Sequence, residues 1–397
     1  MVYKRALDTH VDNYLKGDSY KTFYIWGPRR SGKTTLLERI SKEWGVPFFD
    51  FDLQTDRELF VPKHDEIEKL VQTHAIILVD EVQNHPAATV VFKLLQSKYK
   101  VKVIATGSSE LRQKSGEDFD TMAGRYHEAY CLPLSVSEIQ QNNSVVSYEQ
   151  SRFLQNSAKQ IQIFGSYPEV YIPQHISEEE RIEILEKILN TYVLKDVVDI
   201  YQLKNEKLAR DILTKIALQL GSEVSTREIA MSLGANKDTV ANYIEIFIKN
   251  YILIPLPSFR TNARRAVSEN RKLYFYDVGI RNILIKDFRD LDLRPDRGGV
   301  FENFVVSEIE KQRRNCNAQQ SLYFYREYGG KEIDLVLEDY KKRYTCIEIT
   351  QKEKKRGNRD IFPLPHTFIT LTGANYYDTI TALVKRSGDS AITIAKS

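Results

Sequence analysis

Between Tyr20 and Ser135, short runs of apolar, β-forming residues alternate with longer stretches of helical periodicity. The runs are Phe23–Trp26 (FYIW), Phe48–Leu53 (FFDFDL), Ala75–Val82 (AIILVDEV), Val101–Ser109 (VKVIATGSS) and, more weakly, His127–Leu134 (HEAYCLPL). Strands this apolar leave no face for water, so they predict a parallel sheet with helices on both sides. From Glu138 to Leu203 the period is helical, with interruptions near Gly165 and Pro168. Asn205 to Leu256 reads as a compact helical unit ending in an apolar strand, followed by a loop that carries Arg260, Arg264 and Arg265. Beyond Phe275 the pattern is α+β, with strands at Leu322–Tyr325, Ile333–Leu337 and Tyr344–Ile349.

Composition narrows the classes that remain. At 397 residues the chain has room for several domains, and 42% hydrophobic with 28% charged residues is globular composition, not that of a disordered chain. A net charge of +3 produces no global field, so any nucleic-acid footprint must be local. Cys131, Cys316 and Cys346 lie far apart with no CxxC, which predicts neither a disulfide framework nor a zinc site. The N-terminal MVYKRALDTHVDNYL has no signal-peptide core. No run approaches the roughly 18 apolar residues of a membrane helix. A cytoplasmic protein with no membrane partner is the expectation.

Candidate chemistry begins at Gly27-Pro28-Arg29-Arg30-Ser31-Gly32-Lys33-Thr34, with Thr35 after it, which satisfies GxxxxGK[ST] in full. An apolar strand precedes it and a helical pattern follows. Such a loop wraps its backbone N–H groups around phosphates at a helix N-terminus. ATP with Mg²⁺ is the expected ligand: Lys33 reaches the β and γ phosphates, and the Thr34 hydroxyl ligates the metal. The run IILV then ends in Asp80 and Glu81, at the C-terminal end of a strand, where open α/β sheets bind ligands. Asp80 is expected to hold Mg²⁺ through water, and Glu81 to orient the attacking water. The next strand ends in Thr106-Gly107-Ser108-Ser109, which offers Ser108 for contact with the γ-phosphate or the water. These assignments predict an ATPase.

GPRRSGKTT, VDEVQ, ATGSSE and AGRYHEAYCLPLSVSEI together resemble the AAA-superfamily ATPases of bacteria and archaea, the archaeal-type ATPase group. FGSYPEV, at Phe164–Val170, is similar to a glycine-proline segment that follows the ATPase core in that group. The resemblance implies one more strand between the P-loop strand and the Asp80 strand. It also places Arg125 where oligomeric AAA-type ATPases project an arginine finger into a neighbouring subunit, so a homo-oligomer is expected.

In STREIAMSLGANKDTVANYIEIFIKNYIL, Ser225 is placed to cap one helix with Glu228 at the capping-box position, and Gly234 breaks the chain. A second helix is expected from about Lys237, with Val240, Tyr243, Ile244, Phe247 and Ile248 at core spacing. This is helix–turn–helix grammar, and Asn236, Lys237, Asp238 and Asn242 fall where a recognition helix contacts bases. The face also carries Asp238 and Glu245, so a lid or packing role is the alternative to contact with DNA.

Further on, Glu302 falls in a helix, Asp334 in KEIDLVLE and Glu348 in YTCIEIT. Strict alternation puts Asp334 on one face with Glu332 and Val336. A helix glutamate plus acids on neighbouring strands could form a second metal site with hard oxygen ligands. The order resembles the restriction-endonuclease-like PD-(D/E)XK fold, whose Glu-X-Lys would place lysine at position 350. Threonine stands there, with Lys352 two residues further on as the alternative cation. A nuclease-shaped domain without cleavage activity is therefore expected. The basic residues Lys341, Lys342, Arg343, Lys352, Lys354, Lys355, Arg356 and Arg359 are solvated loop or phosphate contacts.

The expected architecture is an α/β P-loop NTPase module (1–140), a helical linker or lid (141–204), a winged helix (205–258) and an α+β restriction-endonuclease-like domain (259–397). The leading function is an ATPase that couples hydrolysis to conformational change and binds DNA without sequence preference. An ATP-regulated nuclease and a nucleotide switch acting on a protein partner are the alternatives.

Overall fold

The computed structural model describes residues 3–108, 124–196, 205–260, 271–351 and 360–384. The chain divides into two compact units, Lys4–Leu132 and Pro133–Ser397, the second including Met1–Tyr3.

The first unit holds strands β1 (Thr22–Trp26), β2 (Phe48–Asp50), β3 (Ile76–Asp80), β4 (Lys102–Gly107) and β5 (Tyr126–Tyr130). They form one sheet in the order β2-β3-β4-β1-β5, with every neighbouring pair parallel. Strand β4 is the inserted strand between β1 and β3. Every residue of β1 and β4 is buried, as apolar runs require in the centre of a sheet covered on both faces. One layer joins Leu7, Val11, Ile25, Leu36, Leu37 and Ile40. An aromatic group holds Phe51 against Phe60 at 5.0 Å, with Phe92 6.0 Å from Phe60.

Strands β2 and β3 both end before their apolar runs do. In FFDFDL, β2 stops at Asp50, whose Oδ1 accepts the Asp52 N–H at 2.8 Å while its own N–H goes to the Asp56 carboxylate. Aspartate side chains that capture nearby N–H groups turn a chain out of a sheet. Strand β3 ends at Asp80, and Val82–Asn84 is a 3₁₀ turn.

The second unit opens with the helices Val136–Gln141, Gln150–Phe164, Pro168–Tyr171 and Glu178–Lys187. The glycine-proline segment is clamped within this unit. The Ser166 N–H donates to Asp277 Oδ2 at 2.7 Å, and a Cβ on Gly165 would lie 2.0 Å from Asp277 Oδ1. Glycine is required there by this approach and by a φ of +79°.

Next come the helix Glu206–Leu218, β6 (Glu223–Val224), the helices Thr226–Leu233 and Lys237–Lys249, β7 (Leu253–Pro257) and β8 (Arg271–Phe275). The strands make an antiparallel sheet in the order β6-β8-β7. It therefore extends past residue 258. Ser225 Oγ accepts the Glu228 N–H at 3.2 Å, and Gly234 ends its helix with φ +61°.

The last sheet contains β9 (Gln320–Arg326), β10 (Glu332–Asp339), β11 (Tyr344–Ile349) and β12 (His366–Leu371), in the order β12-β11-β10-β9. Strand β10 runs antiparallel to both neighbours, and β11 and β12 are parallel. Pairing with β9 slips by one residue between Ile333 and Val336. Val336 consequently packs with Ile333 and Cys346, and the alternation that would group it with Asp334 does not hold.

Candidate functional site

Strand β1 delivers the chain to the phosphate-binding motif, and the helix Lys33–Trp44 carries it away. Between them the backbone turns through left-handed conformations at Arg30 (φ +61°) and Gly32 (φ +99°). A Cβ on Gly27 would sit 2.0 Å from the Cys131 carbonyl oxygen, so only glycine fits beneath the loop. The buried Lys33 ammonium donates to the carbonyls of Gly27 and Pro28, both at 2.9 Å, and Ser31 Oγ donates to the Pro28 carbonyl at 2.7 Å. Arg29, Arg30 and Thr35 occupy the same loop and first helical turn.

Arg5, with no signal in the motif, braces the loop from outside. Its guanidinium donates to the Ser31 carbonyl at 2.7 Å and to the Leu132 carbonyl at 2.5 Å.

The strand ends supply the acids. Thr34 Oγ1 donates to Asp80 Oδ2 at 2.6 Å, and the Thr106 hydroxyl donates to Asp80 Oδ1. A hydroxyl and a carboxylate facing each other at the loop are the hard oxygen donors Mg²⁺ takes, so the residues fit that ion. Glu81 has φ +50° and ψ +44°, a left-handed conformation that costs a non-glycine residue about 1–2 kcal/mol. Gln83, wholly buried, donates to Glu81 Oε2 and, at 3.0 Å, to Ser108 Oγ. Thr34, Asp80, Glu81, Gln83 and Ser108 thus form one hydrogen-bonded chain, with Lys33 next to Thr34 in the loop. Arg125 is exposed just before β5, and Ser109 lies outside the described residues.

The acids of the second unit meet differently. Glu302 lies on the helix Arg297–Asn315, and its Oε1 accepts from Tyr274 OH at 2.5 Å and from Lys272 Nζ at 3.1 Å. Lys272 also pairs with Glu332, which Arg326 binds in turn through Nε at 2.7 Å. Burial works against the Lys272 charge, but Glu302, Glu332 and Asp334 together hold it above the ordinary lysine value. Asp334 Oδ2 accepts the Ile349 N–H at 2.7 Å. Burial, then the Glu302 charge, push the Asp334 carboxyl up to about 7, with Glu348 adding to the rise.

Asp334 therefore feels both Glu302 and Glu348, as three converging acids would. Even so, among the described residues no group of three or more His, Cys, Asp or Glu side chains is arranged to hold a metal ion. The expected set of Glu302, Asp334 and Glu348 shares its surroundings with two further partners, since Lys272 and Tyr274 both engage Glu302 Oε1.

Two members of the basic run hold surface ion pairs. Lys342 pairs with Glu338, and Arg343 with Asp339 at 2.6 Å. Lys352, Lys354, Lys355, Arg356 and Arg359 lie outside the described residues, as do Arg264 and Arg265. Among the described residues no helix is long and apolar enough to cross a membrane.

Residues 19–140 match the family described as "AAA domain". Residues 155–291 and 297–361 match two families described as domains of unknown function, DUF8612 and DUF4143. An uncharacterized protein of Methanocaldococcus jannaschii is 25% identical over 380 residues, covering 89% of this chain and 81% of its own. An uncharacterized protein of Haemophilus influenzae is 22% identical over 275 residues, covering 65% and 67%. Among solved structures, the Thermotoga maritima RuvB Holliday junction branch migration motor overlaps 64% of this chain and 86% of its own, with 14% identity and a TM-score of 0.29. The Aeropyrum pernix ORC1 protein in complex with DNA overlaps 72% and 93%, with 13% identity and a TM-score of 0.29. Overlaps at that score add nothing to the sequence match. The match makes residues 19–140 an AAA-type P-loop domain, the kind of domain that binds ATP.

Proposed function

We propose that the chain is an ATPase that hydrolyses ATP with Mg²⁺ and couples turnover to conformational change while bound to DNA. The observation that carries the reading is Lys33 in the glycine-bearing loop beside the hydrogen-bonded chain of Thr34, Asp80, Glu81, Gln83 and Ser108. Phosphate oxygens are better acceptors for the Lys33 ammonium than the two carbonyls it now meets. Thr34 and Asp80 would hold Mg²⁺, which supplies positive charge beside the β and γ phosphates. Glu81 orients a water and accepts its proton as the water oxygen attacks the γ-phosphorus and the bond to the bridging oxygen breaks. Ser108 donates to the γ-phosphate, and Arg125 of a neighbouring copy neutralises charge in the transition state.

The run of helix, strand, two helices and two strands from Glu206 to Phe275 supports reading that part as a winged helix. Taken with the basic loops, its candidate contacts are mainly lysine and arginine with few base readers, which favours DNA affinity without sequence preference. In the last part of the chain, threonine at position 350 and the Lys272 pairing favour a nuclease-shaped domain that does not cut.

The test is phosphate release from ATP–Mg²⁺ by wild type and Glu81→Gln, each with and without duplex and single-stranded DNA. Wild-type turnover that rises with DNA, against Glu81→Gln turnover lower by several orders of magnitude at unchanged ATP affinity, is expected. Turnover indifferent to DNA would favour a switch acting on a protein partner.

A further inference from the structure

Gln83 is 0% exposed, yet its carboxamide lies among the acids and hydroxyls of the nucleotide site. Its Nε2 donates to Glu81 Oε2 and to Ser108 Oγ, and its Oε1 accepts the Ser108 N–H at 3.2 Å. A carboxamide has two protons and one oxygen, so both protons and one lone pair are committed to these two residues. The neighbouring strand makes room for this: a Cβ on Gly107 would lie 2.7 Å from Gln83 Oε1. Because Ser108 Oγ accepts from Gln83, its own proton points elsewhere. Glu81 Oε2, at 3.5 Å, is a distant partner for it, since O–H···O bonds usually span about 2.7–2.8 Å.

From this bonding pattern we propose that Gln83 is a positioning residue for hydrolysis, fixing the Glu81 carboxylate relative to Ser108 at the end of β4. The hydroxyl proton of Ser108 is thereby directed to the γ-phosphate, and the same carboxamide sets where Glu81 meets the attacking water. The inference rests on the ATPase reading above. Only a carboxamide of this length satisfies all three bonds. Methionine matches its reach but neither donates nor accepts strongly, and glutamate would turn a second acceptor toward Glu81.

The test measures kcat, and affinity for a fluorescent ATP analogue, in wild type, Gln83→Met, Glu81→Gln and the double variant. For Gln83→Met, kcat is expected to fall about 10- to 100-fold, part of what a general base contributes, with analogue affinity within about threefold of wild type. In the Glu81→Gln background, followed in single turnovers, the same substitution is expected to cost several-fold less than in the wild type, because the part of its effect that runs through Glu81 is already lost and only the part through Ser108 remains. Gln83→Asn keeps the carboxamide with a shorter reach and should fall between wild type and Gln83→Met. It carries the same cycle if the methionine variant does not fold. Equal losses in both backgrounds, affinity falling together with kcat, or an unchanged kcat would each overturn the proposal. A wild type without turnover would overturn the ATPase reading and this inference with it, whereas normal turnover in Gln83→Met would overturn the role of Gln83 alone.

Discussion

The Lys272 ammonium lies 3.1 Å from Glu302 Oε1 with 1% of its side chain exposed, and it pairs with Glu332 as well. Removing one member of a buried ion pair leaves the other charge uncompensated, at a cost of about 3–5 kcal/mol. Lys272→Met should therefore lower the unfolding free energy by about that amount in urea titrations followed by circular dichroism. Adding Glu302→Gln to Lys272→Met should recover part of it. An unchanged midpoint in Lys272→Met would show that the pair contributes nothing.

Asp334 gives stability a pH dependence whose sign is fixed. Its carboxyl is pushed up to about 7 in the folded chain, by burial first and Glu302 second. An unfolded aspartate titrates near about 3.9. Between those values the folded chain keeps a proton that the unfolded chain has released. Stability therefore falls as pH rises from about 4 to about 7, by up to about 1.4 kcal/mol per pH unit from this group. Asp334→Asn should remove that component, so wild type should lose more stability than the variant between pH 5 and pH 7.5. Identical losses would contradict the assignment.

No cleavage of plasmid or oligonucleotide DNA is expected in Mg²⁺, with trace activity in Mn²⁺ at most. The charge that would stabilise an attacked phosphate is missing at Thr350, and Lys272 is committed to Glu302 and Glu332. Thr350→Lys restores a cation on β11's side of the acids and is the variant in which cutting should first appear. Robust wild-type cutting that disappears in Asp334→Ala would overturn the inactive reading.

What the sequence makes legible here is what is contiguous. The phosphate loop is one run between a strand and a helix, and Asp80 and Glu81 simply end an apolar strand. The bond from Gln83 to Ser108 joins the 3₁₀ turn after β3 to the residue that follows β4, and no spacing rule announces it. Lys272 carries no signal in the sequence, because its acidic partners arrive from a helix and a strand later in the chain. Strand β12 escapes prediction because it follows the Lys352–Arg359 run and buries only Leu371 fully. The slip in β10 leaves no mark in the composition of KEIDLVLE.

Arg125 is exposed at the start of β5, the position from which a side chain can serve a second copy of the chain. Arg125→Ala should lower kcat, by about 10³-fold if it acts as an arginine finger, with little change in ATP affinity. Wild-type specific activity should rise with protein concentration as copies associate. A monomer with concentration-independent turnover would rule this out.

Hydrolysis at the phosphate loop is tested most directly by phosphate release from ATP–Mg²⁺ in wild type and Lys33→Ala. Lys33 is the buried cation of that loop, and its loss removes the main charge facing the β and γ phosphates. The expected result is turnover in the wild type, none detectable in the variant, and strongly weakened ATP binding. A folded Lys33→Ala protein that turns over ATP at the wild-type rate would contradict it.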